Sequence, residues 1–198
     1  ITPDESYFFV DFRYYEAAKK QVSSLNVVLT SDFKADFLKI ARKHQVETVL
    51  IENDGITFSD ALKVEKWLKE DNIALSKQNS LDKALYSLRA QKTPIEIENV
   101  KIAQEIAENA LRELFPLIKP GVTEKELAFE LEFLLRKEGA EAIAFDLIVA
   151  SGKNSAIPHA EPSDKRIEVG DFVTIDMGAV YAGYHSDMTR TVAVGAIS

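Results

Sequence analysis

Three residues stand out as able to do chemistry: Asp176, Asp187 and His159. Asp176 lies mid-run in Val173-Thr174-Ile175-Asp176-Met177, and Asp187 lies in Ser186-Asp187-Met188-Thr189. Both runs read as strands, parted by Tyr181-Ala182-Gly183. A hairpin turning at Tyr181-Ala182 sets Asp176 directly opposite Asp187, with Gly183 at the left-handed position of a type I turn with a bulge. Directly opposed residues hold their Cβ atoms about 5 Å apart. Two ionised carboxylates that close repel each other. A shared proton, a neighbouring Arg or Lys, or one or two divalent cations would relieve this. The one obvious cation in the strands, Arg190, has the opposite parity to Asp187. A metal site is therefore the simplest account, and carboxylate oxygens suit Mn²⁺, Mg²⁺, Co²⁺ or Zn²⁺. Two carboxylates do not close such a site, so further ligands must come from elsewhere. The plain alternative is that both acids face solvent from an exposed sheet.

His159 lies in Ala156-Ile157-Pro158-His159-Ala160-Glu161-Pro162, a loop braced by two prolines. A histidine there can ligate a metal, carry a proton or contact substrate. The alternative is a hydrogen-bonded loop histidine. His185 is expected to be a packed strand residue, and His44, among Arg42, Lys43 and Gln45, a surface helix residue.

These groups need elements to position them. From the start, strand signals alternate with helix signals: strands at 6–12, Asn26–Leu29, Thr48–Ile51 and Ile73–Leu75, and helices at 14–21, at 32–43 capped by Ser31, and after a Ser59 cap. That alternation points to an α/β domain with a partly parallel sheet. A connecting helix is expected over Leu81–Ala90. Thr93-Pro94-Ile95-Glu96 is a capping box with proline at the first helical position. The helix behind it runs to about Phe115 on Val100, Ala103, Ala107, Ala110, Leu111 and Leu114. A second box, Thr123-Glu124-Lys125-Glu126, starts a helix that buries Leu127, Leu131, Leu134 and Leu135 and stops at Gly139. Strands follow at 145–150, 171–180 and 184–194. Two domains, 1–90 and 91–198, are expected.

Composition narrows the classes. The chain has 198 residues, 46% of them hydrophobic, and a formal charge of −8. Residues 91–198 carry most of that negative charge. An acidic chain argues against nucleic-acid binding. With no cysteine, thiolate zinc sites, iron–sulfur clusters and a cysteine nucleophile are excluded. The apolar stretches are too short for a membrane span, so a cytoplasmic protein is expected.

Asp176-Met177-Gly178-Ala179 followed by Gly183-Tyr184-His185-Ser186-Asp187-Met188-Thr189-Arg190-Thr191 resembles the signature of the pita-bread metallopeptidases. Ile148-Val149-Ala150-Ser151-Gly152 and Asn154-Ser155-Ala156-Ile157-Pro158-His159-Ala160 resemble the segment that precedes it. The Pro158-His159 pair and the additional N-terminal α/β domain resemble the Xaa-Pro peptidases, the aminopeptidase P and prolidase group. Asp11-Phe12-Arg13-Tyr14 and Lys92-Thr93-Pro94 are similar too. The resemblance implies an α/β and α+β chain: a creatinase-like N-terminal α/β domain, then the first half of a pita-bread catalytic domain. It implies hydrolysis of the bond between an N-terminal residue and a following proline. It gives Asp176 as the bidentate ligand of one metal ion, Asp187 as the bridge between two, and His159 as the group that meets substrate and helps move protons. The cofactor implied is a pair of Mn²⁺ ions, with Co²⁺ or Zn²⁺ as alternatives, and a homodimer is implied.

The family's remaining ligands, one His and two Glu, come from strands further along than Ser198. Glu161, Glu168 and His185 match no ligand motif. The segment is thus expected to be part of a longer protein, inactive and poorly stable alone, with an unpaired edge at Val192–Ile197. Two other readings share the fold: a non-catalytic peptide-binding module, and a creatinase-like hydrolase of a small non-peptide substrate.

Overall fold

The computed structural model describes residues 1–195. The chain divides into two compact units, Ile1–Gln91 and Lys92–Ser198. In the first, strands and helices alternate: β1 (Tyr7–Val10), α1 (Tyr15–Gln21), β2 (Asn26–Leu29), α2 (Phe33–Lys43), β3 (Thr48–Leu50), α3 (Phe58–Glu70), β4 (Ala74–Ser76) and α4 (Ser80–Ala90). β1 pairs with β2 and β3 with β4, both in parallel. A parallel pair needs a crossover, and α1 and α3 supply them. Leu38, Ala41, Leu68 and Ile73 form the small core.

The helix starts differ from expectation by one or two residues. Asp32, not Ser31, accepts the Ala35 N–H at 3.1 Å. Thr57, not Ser59, accepts the Asp60 N–H at 3.2 Å. A capping oxygen reaches the N–H about three residues on, so the first helical residues, Phe33 and Phe58, decide which side chain caps. His44 is not a surface residue. Its side chain is 11% exposed, and its Nε2 lies 2.7 Å from Tyr7 Oη.

The second unit begins with α5 (Pro94–Leu114) and α6 (Glu124–Lys137). Both start at complete capping boxes, Thr93 with Glu96 and Thr123 with Glu126. Ala103, Ala107, Ala110, Leu111 and Leu114 are buried on α5 as expected, and Ile106 joins them, whereas Val100 is only half-buried. The four expected leucines of α6 are buried. The chain then runs through β5 (Ala142–Ile143), β6 (Ile148–Ser151), β7 (Phe172–Met177), β8 (Ala179–Tyr181), β9 (Tyr184–His185) and β10 (Met188–Ala193).

Two three-stranded sheets result, ordered β10-β7-β6 and β5-β8-β9. Side chains alternate across a strand. Val173, Ile175 and Met177 of β7 therefore pack with Leu111, Leu114, Leu127, Leu131 and Leu135 of the helices. Thr174 and Asp176 take the opposite face. β10 is an edge strand among the described residues. Of the unpaired edge expected at Val192–Ile197, Ala196 and Ile197 lie outside the described residues.

Candidate metal centre

The hairpin that carries the two aspartates turns on Ala182 and Gly183, with φ of 47° and 76°. Two successive positive φ values make a two-residue type I′ turn, whose twist matches the strands. Glu141 holds it by accepting the Ala182 and Gly183 N–H groups at 3.1 and 3.3 Å. This corrects the expected turn at Tyr181-Ala182. The register follows: Tyr181 faces Tyr184, Val180 faces His185, and Thr189 faces Asp176. Asp187 is therefore not directly opposite Asp176. The expected turn is centred one residue earlier, which places the partner of Asp176 two residues before the observed one.

The hairpin is also broken in the middle. Gly178 separates β7 from β8, and Ser186 and Asp187 separate β9 from β10. An added Cβ on Gly178 would lie 2.1 Å from the Ser186 carbonyl oxygen, so the two backbones touch where the sheets part. Buried Ser186 fastens the break: its Oγ donates to the Ala103 carbonyl at 3.1 Å and accepts the Ala179 N–H at 3.0 Å.

Asp176 is half-buried in the central strand of its sheet, between Ile148 on β6 and Thr189 on β10. Thr189 Oγ1 donates to its Oδ1 at 2.7 Å. One pair along the same face, Thr174 Oγ1 and Thr191 Oγ1 lie 3.0 Å apart. Arg190 faces Ile175, at the other parity, as expected. Asp187 is exposed and lines a cleft of about 500 Å³ with Lys101, Gln104, Glu105, Glu108, His185 and Ser186. His185 is exposed, not packed, and the break at Ser186 interrupts the regular strand expected to link it to Asp187. His159 is exposed in a turn after the 3₁₀ segment Gly152–Ala156.

Among the described residues no hydrogen bond or ion pair joins Asp176, Asp187 and His159, and no three His, Asp or Glu side chains form a metal cluster. Neither aspartate is ion-paired among those residues. Two carboxylates outside any such ion pair, one backed by a hydroxyl, offer the oxygen donors that a hard divalent ion takes. The donor set fits part of a metal site and not the whole of one.

Sequence reasoning missed three residues that shape this region. Thr189 was visible only within the motif. Gly178 gave no sign of its close contact. Glu124 reads in sequence only as part of a capping box, yet it is fully buried.

Comparison with known proteins shows the family. Residues 98–198 match the model of metallopeptidase family M24. The chain belongs to metallopeptidase family M24. Residues 1–91 match the creatinase/prolidase N-terminal domain. An Xaa-Pro dipeptidase of Pyrococcus furiosus is 41% identical over 195 residues, covering 98% of this chain and 53% of that protein. The solved Xaa-Pro dipeptidase from Bacillus anthracis superposes with a TM-score of 0.92 at 39% identity, over 100% of this chain and 54% of that one. The X-Pro aminopeptidase from Thermotoga maritima gives a TM-score of 0.90 at 35% identity, over 100% and 55%. This M24 chain thus spans about half the length of the relatives it matches. Its fold is the expected creatinase-type N-terminal domain plus part of a pita-bread domain. No helix among the described residues is long and apolar enough to cross a membrane.

Proposed function

We propose that the full-length protein hydrolyses the peptide bond between an N-terminal residue and a following proline, using divalent metal ions held in part by Asp176 and Asp187. One observation carries this reading: two carboxylates that enter no ion pair among the described residues lie at the break of the β7–β10 hairpin, in an M24 chain similar to Xaa-Pro peptidases over nearly its whole length. The further ligands are assigned to the part of the relatives' length that this chain does not span.

When bound, the metal ions supply Lewis acidity and water of lowered pKa. Asp176 and Asp187 would hold them, and Thr189 orients the Asp176 carboxylate through its hydroxyl. His159, on its turn, meets the substrate and carries protons at its ring nitrogens. We assign Mn²⁺ as the ion, with Co²⁺ and Zn²⁺ as its competitors, the cytoplasm as the compartment, and a homodimer as the assembly.

The test is a substrate panel on the full-length protein, loaded in turn with Mn²⁺, Co²⁺ or Zn²⁺. An Xaa-Pro dipeptide, an Xaa-Pro-Yaa tripeptide, a dipeptide without proline and a small non-peptide amide separate the classes. Cleavage of proline peptides that a chelator stops and metal restores is expected. Turnover of the non-peptide amide alone identifies a creatinase-like hydrolase. Peptide binding without cleavage identifies a binding module.

A further inference from the structure

Glu124, the first residue of α6, is 0% exposed. A buried ionised carboxylate is costly unless hydrogen bonds satisfy it. Its Oε1 accepts from the Ser151 N–H at 2.6 Å and from Ser151 Oγ at 2.8 Å. Its Oε2 accepts from the Ser163 N–H at 3.1 Å and from Ser163 Oγ at 2.5 Å. Asn154 Nδ2 spans the two oxygens at 3.1 and 3.2 Å. Every one of these donors belongs to the segment from Ser151 to Ser163. Burial pushes the Glu124 carboxyl up, but the bonds from Ser163, Ser151 and Asn154 outweigh it and hold the group below the usual carboxylate range.

Glu124 is not needed to start its own helix. Thr123 and Glu126 complete the capping box of α6 without it. What it joins are the two ends of a loop. Ser151 is the last residue of β6, and Ser163 lies past the turn that carries His159. One oxygen holds each end, and Asn154 ties the pair together. A second set of contacts braces the first end: Lys165 Nζ donates to Ser151 Oγ at 3.0 Å and to Asp171 Oδ2 at 2.6 Å. Gly152, at φ 53°, leaves the room that Asp171 occupies, since a Cβ there would meet Asp171 Oδ1 at 2.5 Å.

We propose that Glu124 is a positioning residue: its two carboxylate oxygens pin both ends of the Ser151–Ser163 loop and so fix the turn that presents His159. The catalytic consequence rests on the function proposed above, whereas the clamp rests on the hydrogen bonds alone. Glutamine at this position keeps the size but loses one acceptor and turns an amide N–H toward the donors.

The test compares the full-length protein with its Glu124→Gln variant, each also in a His159→Ala background. Hydrogen exchange of the Ser151 and Ser163 amides is read beside kcat and KM on an Xaa-Pro peptide. Exchange at those two amides should quicken at least about 10-fold while the amides of α6 and β7 hold. On the peptide, kcat should fall about 10- to 100-fold with KM nearly unchanged, the cost of a misplaced catalytic group. In the His159→Ala background the substitution should cost nothing more. Unchanged exchange at both amides, or equal quickening throughout α6 and β7, overturns the clamp. The same loss of kcat with and without His159 overturns its action through that residue. If Glu124→Gln does not fold, Asn154→Ala takes its place, with exchange quickened at both amides expected and no change overturning the proposal. If the unmutated protein leaves proline peptides uncut, the proposed function fails, and the exchange result still decides the clamp.

Discussion

Thr189 Oγ1 donates to Asp176 Oδ1 across the β7–β10 ladder at 2.7 Å, so the residue directly opposite Asp176 is a hydroxyl and not the second carboxylate. That bond occupies one lone pair of Oδ1 and leaves the rest of the carboxylate for other partners. A partner of this kind aims a metal ligand and sets its basicity.

Thr189→Val in the full-length protein removes the donor and keeps the shape. On the proposed function, the expected outcome is about 10-fold weaker metal activation, read by titrating the metal-free protein with Mn²⁺. Thr189→Ser should restore most of the loss. Unchanged activation in the valine variant would exclude an orienting role.

Asp176→Asn and Asp187→Asn address the proposed ligands themselves. Each should abolish the proposed metal-dependent cleavage of proline peptides by the full-length protein and lower the metal bound per chain. The amide of asparagine cannot supply the charge that a divalent ion needs from its ligands. Retained activity in both variants would refute the site.

Gly178→Ala tests the contact between the two halves of the hairpin. The new methyl meets the Ser186 carbonyl oxygen, the Ala144 side chain and the Phe145 ring, all within 3.0 Å. Backbone cannot step aside as a flexible side chain can. A loss of about 2 kcal/mol or more is expected, checked by urea unfolding of the full-length protein. A loss under about 0.5 kcal/mol would mean the hairpin shifts freely at this point.

Asp171 offers a test by pH. The hydrogen bond from the Lys165 ammonium is the main force holding its carboxyl below the usual range. A carboxylate depressed in the folded state adds stability above its unfolded pKa of about 3.9, and that contribution disappears as pH falls through the folded value. The stability gap between the unmutated protein and Asp171→Asn should therefore be constant from neutral pH to about pH 5 and narrow below about pH 4. Urea midpoints measured across that range check it. A gap that persists at the lowest pH would place the role of Asp171 in packing and not in charge.

What could be read in advance divides along physical lines. Thr93, Pro94 and Glu96 mark a helix start because all the chemistry of a cap lies within four residues. The leucines of α6 were legible because periodicity is a local signal. The hairpin register was not. Tyr181-Ala182-Gly183 admits either a bulged three-residue loop or a two-residue turn, and Ala182 at φ 47° decides for the second. Alanine seldom adopts that conformation, so the composition of the turn pointed the other way. Glu124 was illegible for another reason. An acid in the first turn of a helix normally faces water and the helix dipole. Its burial depends on Ser151, Asn154 and Ser163, which are distant in sequence, and nothing local announces them.

The Ala182-Gly183 turn also limits how sequences of this kind can drift. It has no spare residue, and Glu141 grips both of its N–H groups. A one-residue insertion there would send every side chain of β10 to the other face, taking Thr189 away from Asp176. Length changes between relatives should therefore be absent from this hairpin and accumulate in loops where no ladder keeps count, while the spacing from Asp176 to Asp187 stays constant.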